Sequence, residues 1–184
     1  DALPTFPSES GRGYEIHPFK SSHYVKGQSS PTITKVKADK NPPTSSQAVV
    51  ISADISDDGT VTKTELYWAK GENPATASFT KVNMTLKSGV TYEGTIPAQA
   101  DNSFIMYYLR AEDNQGNPTQ IPNTDPKQGA FSYRVRDNGL TIFDVQWTPF
   151  PDGASPFMNK EVTISGVITA SANDNHDLGL VHMR

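Results

Sequence analysis

The chain has no cysteine among its 184 residues. That excludes disulfide frameworks, thiolate nucleophiles and cysteine-based zinc sites together. It has no apolar run near the ~20 residues needed to cross a bilayer, and no charged-then-apolar leader opens it. The expectation is a soluble chain, with any export signal outside it. Charge of one sign is also scarce. Sixteen Lys and Arg against 20 Asp and Glu leave a net charge of -4 and a pI near 5.5, which gives no electrostatic footprint for a phosphate backbone and disfavours a dedicated nucleic-acid binder. No segment reads convincingly as a helix.

What is present is turn material and short alternating runs. Fourteen Pro, 13 Gly and only 35% hydrophobic residues describe many short elements separated by turns. Residues 1–31 mix Pro, Gly, Ser and aromatics without a period, and read as an irregular segment with at most one short strand, around Tyr14 to Ile16. From Thr32 the texture changes. "TITKVKA" carries Ile33 and Val36, and "AVVISADIS" places Val49, Ile51, Ala53 and Ile55 on one face of a half-buried strand. After the turn "DDGT", "VTKTELYWAK" sets Thr64, Leu66 and Trp68 opposite Glu65 and Tyr67. "FTKVNMTL" and "VTYEGTIP" follow, the latter with Val90, Tyr92 and Ile96. Ile105, Tyr107, Leu109 and Ala111 share a face of "SFIMYYLRAE", as do Phe131, Tyr133 and Val135 of "AFSYRV". Seven such runs between residues 32 and 136 are the count and size of an immunoglobulin-like β-sandwich.

A second β unit begins after "RDNG", over 137–184. It is expected to hold one strand around Thr141 to Trp147, a Pro/Gly loop, and a second strand in which Val162, Ile164 and Ile168 alternate with polar residues. Two strands cannot bury a core alone, so they either pack on the sandwich or open a larger unit.

The run from "AVVISADISDDGTVTKTELYW" through "KVNMTL", "YEGTIP" and "MYYLRAEDNQGN" resembles the immunoglobulin-like or fibronectin-type-III-like repeats of secreted multidomain bacterial proteins, particularly of the Bacteroidetes. The resemblance covers roughly residues 32 to 136. It implies that "YY-x-x-A-x-D-N-x-G-N" is the penultimate strand and the hairpin after it. The tail "SPFMNKEVTISGVITAS" resembles the opening of the small OB-like β-barrel that accompanies exported nucleases and lamin-tail proteins: Ser155, Pro156 and Phe157, then Val162, Thr163, Ile164, Gly166, Val167, Ile168, Thr169 and Ala170 fill its pattern. No nuclease catalytic segment follows. The resemblance therefore implies an accessory module and transfers no catalytic residue.

Candidate chemistry is sparse. Glu112, Asp113 and Asn114, with Asp54, Asp57 and Asp58, offer the hard oxygens that calcium takes. Yet Asp, Asn and Gly are also the residues that make turns, and "DNQGN" lacks the ligand spacing of an EF-hand loop. Turn chemistry is the favoured reading and calcium the alternative. His17 and His23, and His176 and His182, are each six residues apart, without helical ligand spacing or an intervening Glu; loop or surface histidines are expected. No G-x-S-x-G elbow exists, and "GRG" is too short for a dinucleotide loop. Outward-facing Tyr67 and Tyr108 suggest either a sugar-stacking strip or, more often for such residues, cover for a sheet face. Trp147, Phe150 and Phe157 are placed to seal the two units together.

The sequence therefore predicts an all-β chain with an immunoglobulin-like β-sandwich at 32–136, an irregular segment before it and additional β strands after it. It predicts no enzyme, no cofactor, and no catalytic or metal-ligating residue. The expected role is a structural, adhesive or spacer module of a secreted or cell-surface protein. Its expected partners are neighbouring domains of the same parent protein, other surface proteins or a polysaccharide, with nucleic acid disfavoured and no membrane span. The alternative is an accessory nucleic-acid- or carbohydrate-binding region of an exported nuclease or other hydrolase. Against nucleic acid stands the basic content of 137–184, where Lys160 and Arg184 are the only Lys or Arg.

Overall fold

The computed structural model describes residues 28–151 and, beyond them, 153, 155–158, 161–164, 166, 168–170 and 182–183. All but the last four residues of the irregular 1–31 segment, including the strand expected at 14–16, thus lie outside the described residues.

Two antiparallel sheets face each other. One has the order β1-β2-β6-β5, built from β1 (Thr32–Ala38), β2 (Val49–Ser56), β5 (Thr85–Ser88) and β6 (Thr91–Ile96). The other has the order β4-β3-β7-β8, built from β3 (Val61–Lys70), β4 (Thr80–Asn83), β7 (Phe104–Asp113) and β8 (Pro118–Ile121), with β9 (Phe131–Arg134) also on β7. This is an all-β sandwich with an immunoglobulin-like strand order. No helix among the described residues is long and apolar enough to cross a membrane.

The alternation in β2 does what its pattern predicts. Val49, Ile51, Ala53 and Ile55 are buried and meet Leu66, Ile105, Leu109 and Tyr133 in the core between the sheets. Each such Val, Ile or Leu side chain contributes about 1.5–3 kcal/mol through removal from water. In β1 the spacing from Ile33 to Val36 is three, which a regular strand would place on opposite faces. A register shift between Thr34 and Lys37, with Lys35 at φ 51°, slips the strand by one residue and lets both pack on the core.

β7 is buried on two faces over its first half. Ile105 and Tyr107 enter the core, while Phe104 and Met106 lie in a second cluster with Ala69 and Phe150. The continuous apolar run "FIMYY" has this double burial as its cause.

The structure changes three of the expected elements. "FTKVNMTL" is two strands, because Met84 carries the chain from one sheet to the other between β4 and β5. β8 was not expected, since "PTQI" has a single large apolar residue. It is the lower half of the same edge strand as β9: β8 pairs with 109–112 of β7 and β9 with 104–107, and the loop 122–130 leaves between them. The strand expected at 141–147 is instead helical, α1 (Ile142–Gln146). Thr141 caps it: its hydroxyl accepts the Asp144 N–H at 3.3 Å and its own N–H donates to Asp144 Oδ2 at 2.8 Å, a capping box with Asp in the third position. Further on, β10 (Ile168–Ala170) pairs with β11 (His182–Met183), and Leu140 bridges Ile164.

Candidate functional site

The acidic residues lie at one pole of the sandwich, where the turn after β2 meets the turn after β7: the Asn114 N–H donates to Thr60 O at 2.9 Å. Asp113 is 1% exposed, and its carboxylate is saturated by its own turn. Oδ1 accepts the N–H groups of Gln115 and Asn117, both at 2.8 Å, and Oδ2 accepts Asn117 Nδ2 at 2.7 Å. Burial opposes ionisation, but these donors prevail and hold the carboxyl below the usual carboxylate range. Glu112 pairs with Lys63 at 2.6 Å, and Asp54 with Lys35 at 2.8 Å and the Thr91 hydroxyl at 2.6 Å. Asp57 Oδ2 closes its own turn on the Gly59 N–H. Among the described residues no group of three or more His, Asp or Glu is arranged to hold a metal ion. His17, His23 and His176 lie outside the described residues, as does the side chain of His182, whose backbone belongs to β11.

The outward tyrosines are neighbours across β3 and β7. Tyr67 and Tyr108 stack at 4.8 Å with 2° between their planes, and Phe79 meets Tyr108 edge-on at 5.1 Å. Tyr67 donates its hydroxyl to Glu65 at 2.9 Å, and Lys81 holds the other oxygen of Glu65 at 3.0 Å. One face of each ring is thus taken by the other ring, as in a cross-strand aromatic pair.

Sequence reasoning missed a buried ionic clamp. Arg134, 3% exposed, leaves the outer face of β9 and pairs with Asp144 at 3.2 Å and Glu72 at 2.9 Å, while donating to Asn102 Oδ1 at 2.9 Å. Arg136 forks onto the same carboxylate, with Nε at 2.8 Å from Oδ2 and a terminal nitrogen on Oδ1. Burial raises the Asp144 carboxyl, but Arg136 and Thr141 outweigh it and the group stays below its ordinary range. Trp147 completes the layer, edge-on to Phe104 at 5.3 Å and under the Arg134 guanidinium at 5.1 Å. Trp147 and Phe150 therefore do pack against the sandwich, and Phe157 is buried as well. The legible signal was T-x-x-D after an Arg-x-Arg strand end.

A concavity lies at the edge where β1 and β9 end their sheets. It measures about 950 Å³ and has Tyr107, Tyr133, Phe131 and Val36 on its apolar side. Pro122 and residues 128–130 border it from the loop between β8 and β9, and Phe150, Pro151, Ser155 and Pro156 border it from the C-terminal segment. Tyr107 rests on Phe131 at 5.4 Å and on Tyr133 at 6.2 Å. Burial pushes both tyrosine hydroxyls up, so they remain protonated donors.

No protein-family model matches this chain, and no curated protein is significantly similar to it.

Proposed function

We propose that the chain is a non-catalytic spacer and interaction module of a secreted or cell-surface protein. The supporting observation is the polarity of the sandwich. β1 starts opposite Ser56, at the pole that holds the acidic turns. β9 ends opposite Phe104, at the other pole, where the Arg136 N–H donates to Pro43 O at 2.9 Å. Between them runs the ten-residue β7, on the order of 30 Å at ~3.3 Å per residue.

A sandwich whose own first and last strands, β1 and β9, open at opposite poles strings its neighbours in series. The Arg134–Asp144–Arg136 clamp then sets the direction in which the chain departs. The likeness of "MYYLRAEDNQGN" to repeats of secreted bacterial proteins supports a place outside the cell, and neighbouring domains of the same parent protein are the first partners. Because the chain has no cysteine, spin labels at Ser56→Cys and Asn138→Cys report the span directly. One narrow distance distribution is expected; a broad one sinks rigid presentation. Reproducible turnover of a substrate by the pure chain, abolished by one point substitution, sinks the non-catalytic half.

A further inference from the structure

We infer that the cleft between β1 and β9 is a docking site for one short extended strand of another protein, carrying an acidic residue opposite Lys37. The lining itself points to a strand. Residues 36–38 of β1 and 128–133 at β9 border the cleft consecutively. Strand residues that meet a cavity with one face do so alternately, so a consecutive run presents backbone edge.

The hydrogen bonds say which groups are turned outward. Val135 exchanges bonds with the β7 side, donating to Ser103 O and accepting from Asn102 N–H, each at 2.9 Å. By the period of two, Tyr133 and Phe131 face β7, and Ser132 turns its N–H and C=O into the cleft. On the other side the Asp39 N–H donates to Val50 O at 3.0 Å, so Lys37 faces β2 and Ala38 turns its N–H and C=O away from it.

The two edge strands run in the same direction, because each is antiparallel to a partner that descends from the far pole. A strand laid between them can pair with both, and its alternate side chains reach the apolar side of the cleft at Tyr107, Tyr133 and Val36. Among the described residues Lys37 is the one charged residue bordering the cleft, and it makes no ion pair with any of them. Opposite charge at that point selects an acidic occupant and its register. The site is short: the slip at Lys35 ends the regular edge of β1 below it.

This docking does not depend on the spacer role, and a change in it leaves the pole-to-pole distance untouched. The test uses the full chain and two fluorescein-labelled probes, the blocked pentapeptide Thr-Val-Asp-Val-Thr and its counterpart with Lys in place of Asp. The acidic probe should give saturable anisotropy, about two- to fivefold tighter than the basic one, the range for an exposed ion pair. Lys37→Glu should invert that order without changing the melting midpoint. Amide exchange at Ser132 and Ala38 should slow on binding, while the central Thr95 stays unchanged. Absence of saturation at millimolar probe, an order of probes indifferent to Lys37→Glu, or unprotected Ser132 and Ala38 would each overturn the inference. Self-association of the chain alone that protects Ser132 would assign the cleft to a second copy and overturn it as well.

Discussion

The two edges of the sandwich end in opposite ways. At one, the polypeptide itself closes the gap: Met84, between β4 and β5, bonds its N–H to Thr64 O at 2.8 Å and accepts the Thr64 hydroxyl at 3.2 Å. Its side chain is buried over Gly94, where a Cβ would stand 3.0 Å from Leu66 Cδ2 and 3.1 Å from Met84 Cγ. At the other, β1 and β9 stop without a crossing strand among the described residues, and a cleft of about 950 Å³ remains. At the crossing Met84 is buried and bonded within the chain, although Leu86 next to it on β5 is exposed; at the other edge no residue among those described makes such a crossing. One crossing residue marks the difference, so edge chemistry in a sandwich follows connectivity more than composition.

The largest way to break the comparison is at the clamp that holds the wall of the open edge. Asp144→Ala leaves two buried or half-buried guanidinium groups without their shared carboxylate, and should cost about 3–5 kcal/mol in urea unfolding. If Trp147 fluorescence changes before the far-ultraviolet signal, the 140–150 segment releases ahead of the sandwich. A loss under ~1 kcal/mol, the scale of an exposed ion pair, would show that the clamp is dispensable.

Next come the edges themselves. Met84→Ala should cost about 2–3 kcal/mol, at the low end for buried methionine, whereas Phe131→Ala, on a half-buried ring at the cleft, should cost about 1 kcal/mol. Equal losses would erase the contrast. Gly94→Val should cost about 1–3 kcal/mol by overfilling the closed edge.

A smaller effect is expected with pH. Asp113 and Asp144 are both held below the ordinary carboxylate range. Their stabilisation is therefore complete above the unfolded value of ~3.9 and is lost as pH falls through the lower folded values. The urea midpoint should fall on acidification below about pH 4, and Asp113→Asn should flatten part of that fall. The smallest effect concerns calcium. Since the Asp113 oxygens are occupied by its own turn, millimolar calcium followed by chelator should leave the melting temperature unchanged. A rise of several degrees would return the acidic corner to cation binding.

How far the sequence could be read follows from the range of the forces involved. The faces of β2 and β7 were legible because alternation is a property of consecutive residues, and "EDNQGN" was legible as a turn because Asp and Asn bond their own backbone. β8 was not, because a four-residue edge strand with one apolar residue leaves no period. Nor was α1. "LTIFDVQW" carries residues that favour strands, and Asp144 is drawn to Arg134 and Arg136, two guanidinium groups whose meeting with it no local pattern records. The cleft was also invisible, since residues 36–38 and 128–133 are far apart in the chain and become one border only when the sheets stack.

By itself the sequence determined the β class, the buried face of each long strand and the turns at the acidic pole, all of which depend on residues within a few positions of one another. Tertiary structure decided the rest: where the chain crosses between sheets, that Ile142–Gln146 coil into a helix capped by Thr141, that three charges bury together, and that one edge has no crossing strand among the described residues. Those depend on groups brought together from distant positions, where the stability of a contact is set by what the folded chain excludes from water.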